Sequence, residues 1–161
     1  MSDARDVGAF LKALGFSEEL GTFEGRLRIQ KSVYLLREFG VDLGFRHHWY
    51  IHGPYSPGLT RELFNKAQPS GAPRALTDEE LRAVNEMRNF LGEDLYSADA
   101  LELLVSLIFL IRYGSPDYDS KQKIITFLDA AKPHFNRDQI EAAWTKIEES
   151  GRWRTELARL N

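Results

Sequence analysis

The sequence contains no cysteine. Disulfides, thiolate-bound zinc, iron–sulfur ligation and cysteine nucleophiles are therefore excluded. No long hydrophobic run is present either. The most apolar stretch, Leu103 to Ile111, is nine residues without a charge, whereas a membrane span needs about 20. The opening Met-Ser-Asp-Ala-Arg-Asp has no apolar core behind a basic flank, so no signal peptide is read there. An excess of positive charge is also missing: 21 basic residues against 24 acidic ones give 21 − 24 = −3, whereas a general nucleic-acid coat is basic overall. Phosphate-cradling loops of the Gly-x-Gly-x-x-Gly and Gly-x4-Gly-Lys kinds do not occur. These absences lead to the expectation of a cytoplasmic protein with no membrane association, no cofactor and no metal.

Apolar residues at 43 % and charged residues at 28 % are ordinary for a folded globular domain and exclude a disordered chain. A length of 161 residues fits one domain over residues 1–161, able to bury a core without staples. Leucine occurs 21 times against 13 for valine and isoleucine together. That balance favours helices, because side chains branched at Cβ lose rotamer freedom there and leucine does not. The expected fold is mainly α, a compact single domain of about six or seven helices with a short extended element near residues 45–52.

Start and stop signals place the elements. A first helix over residues 5–14 stops at Gly15. A second, residues 25–39, carries Ile29, Val33 and Leu36 at helical spacing and has Gly40 just past its end. Ser56-Pro57 opens a third, with Leu59, Leu63 and Phe64 directed inward. Thr77-Asp-Glu-Glu80 is a capping box opening a fourth. The segment from Ser97 to Tyr113 is apolar nearly all round and reads as a central helix. A sixth follows Asp119 or Ser120, and a seventh runs from about Asn136 towards Gly151. Trp153, Leu157 and Leu160 suit a short amphipathic helix at the end. The stretch 68–74 reads as a loop. Phe45-Arg-His-His-Trp-Tyr-Ile-His52 breaks the helical pattern: it alternates, with Phe45, His47, Trp49 and Ile51 on one side, and ends at Gly53-Pro54.

The most distinctive stretch joins Arg28-Ile-Gln-Lys-Ser-Val-Tyr-Leu-Leu36 to Trp49-Tyr-Ile-His-Gly-Pro-Tyr-Ser-Pro57 and then Arg61-Glu-Leu63. Gln30-Lys31 with Tyr34, an aromatic extended segment, and Gly53-Pro54 before a new helix resemble the Panacea domain and the related YwgA-like proteins. The likeness covers roughly a quarter of the chain. It implies a regulatory, partner-binding protein of the antitoxin kind, found in toxin–antitoxin or phage-borne settings. It carries no catalytic residues with it.

Read from the residues alone, Gly53-Pro54-Tyr55-Ser56 is first a strand-to-helix corner. The free amides of a helix start also suit an anion, with Arg46, His48, Tyr50 and His52 on one strand face. Arg26, Arg28 and Lys31 crowd the start of the second helix, where the helix dipole disfavours cations; an anionic partner, inside or outside the fold, would explain them. The candidate partner- or anion-binding residues are thus Arg26, Arg28, Lys31, Arg46, His52 and Tyr55. His48 and His52 are four apart, which in an extended chain separates them by about 13 Å, too far for one metal ion. Ser56 sits in no nucleophile-elbow pattern and is better read as a cap. The leading expectation is a non-enzymatic module binding a protein partner. A DNA-binding regulator using a helix–turn–helix-like arrangement of helices two and three, 16 residues apart in the sequence, and a small-ligand or nucleotide-binding protein using the Arg46–Ser56 corner, are the alternatives. The oligomeric state is left open.

Overall fold

Capping chemistry sets the helix boundaries in the computed structural model, which describes residues 4–16, 21–64 and 74–160. The described residues form eight α-helices, one 3-10 turn and one two-stranded antiparallel hairpin. They are α1 (Ala4–Ala13), α2 (Phe23–Glu38), β1 (His48–Tyr50), β2 (Gly53–Tyr55), α3 (Pro57–Phe64), α4 (Asp78–Leu91), the 3-10 turn Gly92–Tyr96, α5 (Ala98–Tyr113), α6 (Lys121–Ala131), α7 (Arg137–Ser150) and α8 (Arg154–Ala158). The protein is therefore mainly α, as composition indicates. No described helix is long and apolar enough to cross a membrane. The loop expected over 68–74 falls, but for Arg74, outside the described residues.

Internal contacts divide the chain into two compact units, residues 1–102 and 103–161, with the division inside α5. In the first, Thr22 caps α2 by accepting the Gly25 amide. Thr77 and Glu80 close a full capping box on α4, each accepting the other's backbone N–H. Val7, Phe10, Leu14, Val33, Leu36, Leu59, Val84 and Met87 are buried. In the second unit Ser120 caps α6 and Asn136 with Gln139 forms a capping box on α7. α7 ends at Gly151, which takes a left-handed conformation. Ile124, Leu128, Ile140, Trp144, Ile147 and Trp153 are buried there, and Arg112 of α5 pairs with Glu156 of α8 at 3.1 Å. α8 is the short terminal helix that Trp153 and Leu157 suggest.

The short extended element expected near residues 45–52 is present as β1, the first strand of a hairpin. The strand needs a partner, and the partner is the corner itself: His48 faces Tyr55, Trp49 faces Pro54 and Tyr50 faces Gly53. Ile51 and His52 form the two-residue turn. Neither of them has a positive φ; the residue that follows, Gly53, takes it at +82°, as in a turn closed by a left-handed glycine. Alternation holds through Tyr50, with His47 buried between exposed Arg46 and His48. It fails at Ile51, which the turn leaves 88 % exposed. Phe64, expected inward, is 50 % exposed, because Leu59 and Leu63 occupy the buried stripe of the short helix.

Candidate functional site

Two neighbouring residues of α2 hold the hairpin and the start of α3. Gln30 Nε2 donates to the Ser56 carbonyl and to Thr60 Oγ1, each at 2.9 Å. The Ser56 amide donates back to Gln30 Oε1 at 2.9 Å. Lys31 Nζ donates to the Pro54 carbonyl at 2.6 Å from a fully buried position. A buried cation needs such partners to offset its lost hydration. The Gln-Lys pair and the Gly-Pro corner, which look like separate motifs along the chain, are the two halves of one clamp.

His47 lies buried beside the clamp, its ring edge-on to Tyr34 at 5.5 Å. Neither ring nitrogen has a well-formed hydrogen bond among the described residues. Burial, reinforced by the nearby Lys31 charge, lowers its pKa from 6.5 to about 4, with the Gln30 backbone offsetting part of the effect. This imidazole is neutral at physiological pH.

Two cavities flank the hairpin. One is a groove of about 360 Å³ walled by Phe23, Leu27, Tyr50, Ile51 and Phe64. Gln30, Tyr55 and Thr60 give it a polar floor, with the Tyr55 hydroxyl 2.6 Å from Thr60 Oγ1. Arg26 and His52 also line it. The His52 ring meets Phe23 edge-on at 4.9 Å, and its Nδ1 lies 3.7 Å from Glu102 Oε1, too long for a hydrogen bond. The other cavity, about 370 Å³, is lined by Arg46, His48, Arg61 and Tyr50 over Phe45, Ser56 and Gly58. Tyr50 borders both.

A larger hollow of about 640 Å³ lies elsewhere in the same unit, lined by Asp6, Arg74, Glu79, Glu80, Arg82 and Glu86 among others. Its charges answer one another. Arg74 forms a two-pronged pair with Glu80, both bonds at 2.9 Å, and reaches Asp6 at 2.6 Å. The hydrogen bonds from Arg74 lower the Glu80 carboxyl to about 2.

The structure thus distributes the six candidate residues. Arg26, His52 and Tyr55 meet at the apolar groove, and Arg46 lines the cationic cavity. Arg28 serves the fold, its guanidinium 5.5 Å from the Phe16 ring centre and donating to the Tyr96 carbonyl at 3.3 Å. Lys31 is inside the clamp. His48 and His52 face different cavities, in keeping with their separation along the strand. Ser56 Oγ accepts the Leu59 amide at 3.2 Å, the capping role expected for it. Arg61 is the residue that sequence reasoning passed over. It sits on α3, and only the hairpin's fold-back brings Arg46 to the same cavity. Residues 39–56, the hairpin included, lie between α2 and α3, so these two helices lack the three- or four-residue turn of a helix–turn–helix. No protein-family model, curated protein or solved structure matches the chain.

Proposed function

We propose that this chain is a non-enzymatic regulatory module that binds a protein partner through the apolar groove beside the hairpin. This is the role implied by its resemblance to antitoxin-associated proteins. One observation carries the reading. Of the seven large apolar side chains exposed among the described residues, Phe23, Tyr50, Ile51 and Phe64 surround a single groove. Apolar groups scattered singly over a surface need no explanation, but their concentration around one concavity marks a docking site. The occupant that fits is a partner segment presenting a bulky apolar side chain, with an acidic residue beside it. The lining includes Arg26 and no carboxylate, so such a segment complements it in charge as well as in polarity.

The test is co-expression with the products of neighbouring genes, followed by size-exclusion chromatography. The expected result is a stoichiometric complex that Ile51→Asp abolishes while leaving the thermal transition unchanged, since the tip side chain is nearly all in water. A wild-type protein that elutes alone with every neighbour, or an Ile51→Asp variant that binds as well as the wild type, overturns the reading.

A further inference from the structure

Several arginines in this protein serve the fold: Arg74 and Arg112 are in ion pairs, and Arg28 and Arg88 donate to backbone carbonyls. Arg46 and Arg61 are placed differently. Both line the cavity of about 370 Å³ beside the hairpin, together with His48. None of the three side chains has a hydrogen bond or ion pair among the described residues. No carboxylate lines the cavity. An anion in the cavity would supply the counter-charge that its lining lacks. Guanidinium groups match phosphate oxygens in fork geometry, two bonds at a time.

The amides of α3 contribute less than a helix start usually does. Pro57 has no N–H, Ser56 Oγ holds the Leu59 amide, and the Thr60 amide points to the Ser56 carbonyl. The arginines therefore carry the affinity. Tyr50, 45 % exposed, forms the wall shared with the apolar groove. A planar base leaving the phosphate has an aromatic face to stack on, an arrangement that is tolerant of base identity.

We propose that the cavity bounded by Arg46, His48, Arg61 and Tyr50 binds a small phosphorylated ligand, a nucleoside monophosphate, with its phosphate between the two arginines and its base on Tyr50. This site adjoins the apolar groove and shares Tyr50 with it.

Isothermal titration with adenosine 5′-monophosphate, inorganic phosphate and a short single-stranded oligonucleotide tests it, on the full chain at fixed ionic strength. The expected result is saturable binding of the mononucleotide, weakened about tenfold or more by either Arg46→Ala or Arg61→Ala. Arg82→Ala, on the other hollow, leaves it unchanged. Tyr50→Ala weakens the mononucleotide but not inorganic phosphate. Arg46 and Arg61 are exposed and make no bonds, so their variants keep the wild-type circular dichroism and thermal transition. Absence of saturable binding up to about 10 mM overturns the proposal, that concentration being far above affinities of functional interest. So does equal loss in Arg82→Ala, which would signal general charge attraction. An oligonucleotide bound at least about tenfold more tightly through the same arginines would replace it with a site for a nucleic-acid backbone.

Discussion

Replacing His47 by phenylalanine should flatten the pH dependence of stability between about pH 7.5 and pH 5. The imidazole is buried and held neutral, with a pKa lowered from 6.5 to about 4. In the unfolded chain it takes up a proton near its ordinary value. The unfolded state therefore binds more protons throughout the window between those two values, so stability falls as pH falls. Above about pH 6.5 the neutral form dominates both states and the contribution is complete. At pH 5 the unfolded state is favoured by a factor of about 30, the ratio of the two binding polynomials, which is about 2 kcal/mol. Over the whole interval the loss reaches about 3 kcal/mol, at about 1.4 kcal/mol per pH unit. Phenylalanine preserves a flat ring edge-on to Tyr34 and has no proton to bind. Urea unfolding of both proteins at about pH 7.5 and pH 5 isolates the effect as a difference of differences, so titrating carboxylates cancel. The wild type should lose about 2 kcal/mol more than His47→Phe. Equal losses within about 0.5 kcal/mol would show that His47 can be protonated in place, and the description of its surroundings would fail.

Other perturbations probe the clamp and the caps. Gln30→Leu leaves the buried Ser56 amide without an acceptor and should cost about 2 kcal/mol in chemical denaturation; Gln30→Glu keeps that acceptor but sets a carboxylate against the Ser56 carbonyl and should cost more. Thr77→Ala removes one arm of the α4 capping box, and a loss of about 1 kcal/mol is expected from the same measurement. Gly53→Ala forces a β-carbon into a backbone at φ +82°, and the thermal transition should fall by an amount equivalent to about 1 kcal/mol.

Local chemistry was legible in the sequence wherever the answer lay within a few residues. Thr77 with Glu80, Asn136 and Ser56 each announce a helix start, and the glycines at 40 and 151 mark two ends. Long-range geometry was not. Gln30 and Lys31 stand out along the chain as a motif, and Lys31 as a candidate anion-binding residue; their burial follows from carbonyls and an amide more than twenty residues away. The alternation over 45–52 was real as far as Tyr50, but periodicity cannot reveal that Gly53-Pro54-Tyr55 folds back as the second strand. For the same reason Arg46 and Arg61 carry no shared signal: one is on the approach to the hairpin and the other on the next helix. Phe64 was misjudged because a helix of two turns has room for only a narrow buried stripe.

The clamp has a further consequence for timing and entropy. Adjacent residues on a helix point about 100° apart, so Gln30 and Lys31 grip the chain at Ser56 and Pro54 from different directions and resist its rotation as well as its lift. The tip, Ile51 and His52, hangs from a two-residue turn whose second strand is immobilised at that point. Under the proposed docking role, a partner arriving at the groove would meet a hairpin already held in place by the clamp. The ordering penalty common to flexible loops, about 0.5 to 1.5 kcal/mol for each side chain immobilised, is reduced before encounter. Association at the proposed groove should then proceed in one kinetic phase limited by collision and orientation.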